Sequence, residues 1–281
     1  MVSMYKSTYQ RISPTTILLK AIWLVIASLS LLIALSSIAI SSVASELDTT
    51  PSFVHSDTPL EDVITAQEQA TANDKLLLVV LGAQWCHDST GLAGHFNSEA
   101  LRPILQKHYT TIMVDVGLLE DRRDITQRFN YPTYYATPTV MIIEPSSGTL
   151  LNRKTMARWA YADSIPLLDY VEYFTQYAEL TDTEIAALQT YSPTPQEASY
   201  NEKYAARLQQ AYKTLSPLLK DDINGKTDDN FYAMWKEVRR FRATLQEELM
   251  ERAAQQLDNA ENSASGSKKA TLTEYDPFSW Q

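Results

Sequence analysis

The chain has 281 residues, 44% of them hydrophobic, which is enough for one or two domains with packed cores and argues against wholesale disorder. Its net charge is −10, and the acidic excess lies after residue 44, which argues against binding to nucleic acid or to anionic lipid. A single cysteine, Cys86, excludes a scaffold held together by internal disulfides. The lone thiol is therefore either an inert buried side chain or a reactive group.

An apolar segment near the N-terminus predicts export across a membrane. Residues 21–40 are apolar except for four serines, and a helix of this length just spans a bilayer core of roughly 30 Å. Basic residues precede the segment and acidic residues follow it, so the positive-inside rule places the remainder of the chain outside the cytoplasm. Small residues at 42–44 also suit a signal peptidase. We expect residues 1–44 to be a signal peptide or a retained inner-membrane anchor, and the rest to be periplasmic in a bacterium.

The pattern after residue 44 predicts a linker followed by alternating helices and strands. Residues 45–59 are rich in Ser, Thr, Asp and Pro, which is typical of a linker. Unbroken apolar runs predict buried strands at 76–81 and 111–116. Helices are expected at 60–73, 86–96, 100–108 (with Pro103 tolerated in the first turn), 122–129 and 162–178, and hairpin strands at 139–143 and 149–152. This order predicts a mixed α/β layered fold.

Two apolar stripes at helical spacing predict a helical hairpin over residues 179–258. Such stripes are core far more often than ligand sites, and they can bury against each other, against the α/β domain or against a partner. Residues 259–281 are predicted to be a flexible tail, disordered over the low-complexity stretch 263–271. The aromatic end, residues 275–280, is expected to fold onto its own domain rather than to act as a docking motif.

Two motifs carry a resemblance to a known family. The run Trp85-Cys86-His87-Asp88-Ser89 follows a buried strand at a helix start, and Thr137-Pro138 precedes another strand about fifty residues later. In this order and spacing, residues 60–178 resemble the thioredoxin superfamily, and in particular exported bacterial thioredoxin-like proteins with this CxxS active-site motif. The resemblance implies a thioredoxin-like fold with a cis proline at Pro138 beside the reactive sulfur.

The chain departs from the family at two positions. Ser89 stands where the family has its resolving cysteine, and Val80 stands where the family has a buried acid that assists proton transfer. The resemblance therefore implies that the ordinary two-cysteine cycle cannot run within this chain.

The position of Cys86 predicts a reactive thiol. Unpaired backbone N–H groups and the positive end of the helix dipole favour a thiolate at a helix N-terminus. Ser89, three residues later on the same face, is expected to donate a hydrogen bond that stabilises the thiolate. His87 would raise the reactivity of the sulfur if charged, and Asp88 would oppose this effect.

The remaining motif residues are expected to bind substrate. Trp85, Thr137 and Pro138 would shape the site, together with His87 and Asp88, and backbone groups at 137–138 would pair with an extended peptide. The expected partners are protein thiols and disulfides or glutathione mixed disulfides, with an external reductant and with no cofactor or nucleic acid.

The sequence leaves three interpretations of Cys86. The first is monothiol disulfide exchange: isomerisation, reduction or deglutathionylation, with catalytic residues Cys86 and Ser89. The second is a redox-inactive domain, in which Cys86 is a packed remnant and the protein is an interaction or chaperone-like module. The third is a metal site with His95, but His95 lies about 13 Å along the helix from Cys86, so no metal is expected.

Overall fold

The computed structural model describes residues 52–262 and 272–281. The predicted signal peptide or anchor, residues 45–51 of the predicted linker and the low-complexity stretch 263–271 lie outside the described residues. Within the described ranges, no helix is long and apolar enough to span a bilayer.

The centre of the fold is a four-stranded sheet with the strand order β2-β1-β3-β4. Strand β1 is parallel to β2 and antiparallel to β3, and β3 is antiparallel to β4. Residues 77–81 of β1 are fully buried, as the unbroken apolar run predicted, because both faces of this central strand are covered. The strands are β1 (Leu76–Gly82), β2 (Tyr109–Asp115), β3 (Thr139–Glu144) and β4 (Thr149–Leu150).

Two predictions for the strands were partly wrong. Strand β2 begins two residues earlier than expected, and most of its side chains are only partly buried. It lies at the edge of the sheet with one strand neighbour, so its apolar run did not indicate burial on both faces. Strand β4 has only two residues, because the chain turns away after Leu150.

Helices pack on both faces of the sheet and complete the predicted order of elements. They are α1 (Pro59–Ala72), α2 (His87–Phe96), α3 (Arg102–His108), α4 (Arg123–Arg128) and α5 (Leu167–Ala178). Pro103 occupies the first turn of α3, as predicted. This mixed α/β architecture is consistent with the thioredoxin-like fold that the motifs imply.

The segment before α5 differs from the prediction. A 3-10 helix, Met156–Ser164, occupies residues expected to begin the last α-helix of the domain. Pro166 then adopts an extended conformation (φ −60°, ψ 145°) and forms the N-cap of α5. Because proline cannot donate a backbone hydrogen bond, it ends the preceding turn and starts the new helix.

The region after α5 contains the predicted helical hairpin. Its two long helices, α7 and α8, are preceded by a short helix, α6, that the sequence did not predict and that buries none of its residues. Side-chain oxygens of Thr181 and Thr194 cap α6 and α7 in capping boxes. The ranges are α6 (Asp182–Leu188), α7 (Pro195–Ile223) and α8 (Phe231–Asn262).

The hairpin buries its apolar stripes against the sheet. Leu77, Val79 and Leu81 of β1 belong to the same hydrophobic core as residues of α7 and α8, whereas Leu78 and Val80 point into the core on the opposite face. Polar contacts reinforce the junction: Gln209 donates to the Thr133 hydroxyl at 2.7 Å, Gln246 donates to the Tyr131 hydroxyl at 3.0 Å, and Tyr134 stacks on Tyr212. The structure therefore shows two of the three expected partners: the stripes bury against each other and against the α/β domain.

The C-terminal residues 272–281 lie along α7 and α8. The rings of Tyr275 and Phe278 pack edge-to-face on Phe241, with centroids 5.3 and 5.1 Å away. Lys203 pairs with Glu274 at 2.7 Å. The aromatic end thus packs on its own domain, and the prediction of a flexible tail over residues 259–281 is wrong for residues 272–281, because their rings bury against the hairpin.

Candidate functional site

Cys86 lies between β1 and α2 and forms the N-cap of α2. Its backbone is extended (φ −93°, ψ 118°), and its side chain is half-buried. The Sγ atom donates a hydrogen bond to the carbonyl oxygen of Thr137 at 3.1 Å, and the Thr137–Pro138 peptide bond is cis. The structure thus brings together the two motifs that the sequence singled out.

Trp85, the residue before Cys86, contacts both the loop after β2 and the hairpin. Its indole Nε1 donates to the carbonyl of Gly117 at 2.6 Å, in the loop after β2. Gly117 has a φ of +52°, a conformation that a residue with a Cβ adopts only with strain. The same indole lies edge-to-face against Trp235 of α8, with ring centroids 6.3 Å apart. Trp85 therefore connects the loop that holds Cys86 to the hairpin.

Ser89 is placed differently from the expectation. Its side chain is fully buried, and its hydroxyl has no hydrogen-bond partner among the described residues. The hydroxyl lies against Gly82 of β1, where a Cβ would be only 2.7 Å from it. The expected hydrogen bond from Ser89 to the sulfur is therefore not formed, and a stabilising role for Ser89 stays a prediction.

His87 and Asp88 contact the 3-10 helix rather than the sulfur. A carboxylate oxygen of Asp88 accepts a hydrogen bond from the backbone N–H of Asp163 at 3.1 Å. The Nδ1 atom of His87, whose side chain is largely exposed, lies 3.5 Å from the Asp163 carboxylate. Asp163 is a site residue that sequence reasoning missed, because nothing in the sequence connects it to a motif 75 positions earlier.

A cleft of about 250 Å³ opens beside Cys86. Motif residues line one side of it: Trp85, Cys86, His87, Asp88 and Thr137. The hairpin supplies the opposite wall, which contains aromatic, basic and acidic side chains: Phe231, Tyr232, Trp235, Arg239, Arg242 and Asp222. The sequence predicted that the hairpin buries its stripes against itself, the α/β domain or a partner, but not that it lines the cleft beside Cys86, so this wall is a second feature that sequence reasoning missed.

One signal in the sequence could have indicated the wall. Trp235, Val238 and Arg242 follow each other at spacings of three and four residues, so an arginine shares the helix face of an apolar stripe. In the structure Arg242 is only 9% exposed. Its Nη1 donates to the hydroxyl of Tyr212 at 3.2 Å, and its guanidinium lies 5.5 Å from the ring centre of Trp235. Burial raises the pKa of Tyr212, so its hydroxyl stays neutral beside the guanidinium.

The described residues include no group of three or more His, Cys, Asp or Glu side chains placed to hold a metal ion. His95, the most distant member of the metal hypothesis, lies against the ring of Tyr170 with centroids 4.6 Å apart. The chemistry that the cleft offers is therefore that of a thiol beside aromatic and charged side chains.

No protein-family model matches the chain, and no curated protein matches it. Among solved structures, the chain is similar to the crystal structure of disulphide isomerase from Xylella fastidiosa Temecula1. The two are 22% identical with a TM-score of 0.41, over 47% of this chain and 99% of that chain. A likeness this distant carries no argument about family or function, so the interpretation of the site rests on its own geometry.

Proposed function

We propose that this chain performs monothiol thiol–disulfide exchange through Cys86, on the periplasmic side of a bacterial inner membrane. The observation that supports this proposal is the placement of the sulfur. Cys86 stands at the N-terminus of α2, beside the cis Thr137–Pro138 bond and at the edge of an open cleft. Unpaired N–H groups at a helix N-terminus stabilise a thiolate, which is the reactive form.

The exchange conserves atoms and electrons. The Cys86 thiolate attacks one sulfur of a disulfide, the S–S bond breaks, and the second sulfur leaves as a thiolate that takes a proton from solvent. The product is a mixed disulfide with Cys86. The sequence contains one cysteine, so a second thiol must come from outside it. A thiol of the substrate, or an external thiol such as glutathione, then attacks the mixed disulfide and restores the Cys86 thiolate. Reduction, isomerisation and deglutathionylation all follow this scheme.

A redox-inactive interaction module is the second candidate, and one contact favours it. The hydrogen bond from Sγ to the Thr137 carbonyl requires the protonated thiol and is lost when the thiolate forms. Ser89, which was expected to compensate, does not contact the sulfur. In this alternative Cys86 fills space beside the cis proline, and the hairpin carries the function.

Alkylation of Cys86 separates the two candidates. Iodoacetamide should modify Cys86 in the folded protein at neutral pH faster than it modifies a free cysteine peptide, as measured by mass spectrometry over time. Bis(2-hydroxyethyl) disulfide should convert Cys86 to a mixed disulfide that added thiol reverses. A thiol that reacts only after unfolding in urea would exclude the exchange reaction. Full function of a Cys86→Ser variant in cells would also exclude the exchange reaction.

The proposed location has a separate test. Protease added to spheroplasts should digest the protein without lysis of the cells if residues after 44 are periplasmic. Full-length protein in the membrane fraction would indicate a retained anchor, and a shorter soluble form would indicate signal cleavage. Digestion that requires lysis would contradict the location.

A further inference from the structure

The cleft beside Cys86 is small and closed on one side by the hairpin. Its volume of about 250 Å³ lies just under the range of roughly 300–1,000 Å³ that is usual for small-molecule sites. Seven of its thirteen lining residues belong to the hairpin, whose helix α8 packs against Trp85 through Trp235. A small molecule fits such a cleft better than a folded protein surface does.

Arg242 is a buried cation without an acidic partner. Its single hydrogen bond, from Nη1 to the Tyr212 hydroxyl, uses one of the five N–H donors of the guanidinium. Among the described side chains, those of residues 52–258 and 272–281, no carboxylate forms an ion pair with Arg242 or with Arg239, one turn earlier on α8. No nitrogen of Arg242 is both fully buried and without a partner among the described residues, so its remaining donors reach the cleft, where an anion can accept hydrogen bonds from them.

The acids of the cleft do not satisfy these cations. Asp222 accepts hydrogen bonds from Thr227 at 2.6 Å and from Tyr232 at 3.2 Å. Asp88, on the opposite wall, accepts from the backbone of Asp163. Neither carboxylate forms an ion pair with a guanidinium group, so the donors of Arg239 and Arg242 stay available, while both acids keep their negative charge in the same cleft.

From this arrangement we propose that the substrates of Cys86 are small disulfides that carry a carboxylate, which Arg242 and Arg239 bind. This inference rests on the proposed exchange reaction and specifies its substrate class. The Cys86 thiolate attacks the nearer sulfur of the disulfide, and the carboxylate-bearing half either remains bonded to Cys86 or leaves as a thiolate. Guanidinium groups suit this role because their planar donors match the two oxygens of a carboxylate.

The test compares three symmetric disulfides of similar size. They are 3,3′-dithiodipropionate, which is anionic, bis(2-hydroxyethyl) disulfide, which is neutral, and cystamine, which is cationic. The rate of mixed-disulfide formation on Cys86 of the full-length protein is measured by mass spectrometry and divided by the rate of a free cysteine peptide with the same reagent. We expect the anionic disulfide to have the highest normalised rate constant and the cationic one the lowest.

Substitutions in α8 test whether Arg242 and Arg239 cause the preference for the anionic disulfide. Arg242→Gln should lower the ratio of the anionic to the neutral rate constant by roughly tenfold, the effect expected from losing a charge-assisted hydrogen bond. Arg239→Gln, an exposed change that does not threaten folding, should lower the ratio by about two- to fivefold. Arg240→Gln is the matched control, because Arg240 is exposed on the same helix and does not line the cleft.

The ratio separates carboxylate binding from a general effect on the thiol. If the arginines merely promoted the thiolate, the anionic and neutral rate constants would fall together and the ratio would not change, which would overturn the inference. A wild-type protein without preference for the anionic disulfide would also overturn it. Failure of Cys86 to react with any of the three disulfides would instead refute the exchange reaction itself, and the substrate class with it.

Discussion

The hydroxyl of Ser89 does not form the hydrogen bond to Cys86 that its position in the motif predicted. This hydroxyl is buried without a hydrogen-bond partner in the described part of the chain. An unsatisfied buried hydroxyl costs about 1–3 kcal/mol. We therefore expect Ser89→Ala to raise the free energy of unfolding by about 1 kcal/mol, measured by urea denaturation.

Ser98→Ala is the control for this prediction. The Ser98 hydroxyl accepts a hydrogen bond from the backbone N–H of Leu101 at the start of α3, at 3.3 Å. Its loss should lower the free energy of unfolding, by about 0.5–1 kcal/mol. A destabilised Ser89→Ala variant would mean that the hydroxyl has a stabilising partner, and slower alkylation of Cys86 in that variant would identify the sulfur as that partner.

The carbonyl oxygen of Gly117 accepts the hydrogen bond from the indole of Trp85. Gly117 has positive φ, and a Cβ at this position would lie 2.4 Å from the side chain of Glu120. We expect Gly117→Ala to lower the free energy of unfolding by about 1–2 kcal/mol and to change the fluorescence of the protein. Gly94→Ala is the matched control within α2: no atom lies within 4 Å of its added Cβ, so it should stabilise the protein by up to about 1 kcal/mol. Equal effects of the two substitutions would contradict the argument.

At this scale the sequence predicted which motifs meet better than it predicted the contacts of their side chains. The motifs predicted that Cys86 lies beside Thr137 and Pro138, because short motifs shared with a known family specify a local geometry. The contacts of Ser89 and Asp163 could not be predicted, because they depend on how a strand and a 3-10 helix pack around α2.

Among the elements, α6 and α7 begin with the same capping box but differ in burial. Thr194 caps α7, which carries much of the hairpin core, whereas Thr181 caps α6, which buries no residue. We expect Thr194→Ala to lower the free energy of global unfolding by about 1 kcal/mol. Thr181→Ala should leave it nearly unchanged, because α6 contacts the core only through the partly buried Ile185 and Leu188 and can unfold locally.

Urea denaturation and hydrogen exchange of the two variants test this contrast. Faster exchange confined to α6 in Thr181→Ala, with an unchanged urea midpoint, is the expected pattern. A lower midpoint in Thr181→Ala would show that α6 belongs to the cooperative unit.

Strongly patterned elements were the ones that the sequence predicted. Strand β1 and the long helices carry regular apolar patterns, which fix their type and nearly fix their ends. The 3-10 helix and α6 lack such patterns, and their conformation is set by Pro166 and by the Thr181 cap. The edge position of β2 is a property of strand pairing, which an apolar run alone does not reveal.

On the scale of the whole molecule, Glu274 ties the C-terminal residues 272–281 to α7 through its ion pair with Lys203. Hydrogen bonds from Lys203 and then from Tyr204 hold the pKa of Glu274 below its usual value of 4.5. A lowered pKa in the folded state means that the interaction is fully present above pH 4.5 and is lost as the pH falls through the lower value. We expect residues 272–281 to exchange their amide hydrogens faster, relative to α7, below this pH.

Glu274→Gln provides the control for this pH dependence. The variant should show faster exchange in residues 272–281 already at pH 7, with a smaller further change in acid. A pH response of the segment that is identical in wild type and variant would assign it to other carboxylates.

The docking of the hairpin was the least predictable feature of the whole molecule. Its stripes fitted three partners equally well, since an apolar face specifies burial but not what covers it. The choice of the sheet depends on a shared core and on polar pairs such as Gln209 with Thr133, and these are distant in the sequence.

The placement of Trp235, Arg239 and Arg242 on one helix has an evolutionary consequence. A single loop, residues 224–230, joins α7 to the helix that carries all three side chains. Substitutions on this face of α8 therefore change one wall of the cleft together, while the loop and the buried residues that hold α8 on the sheet keep the Trp-Cys motif and the cis proline in place. Related lineages could diverge in what they accept through such substitutions, with the nucleophile itself left untouched.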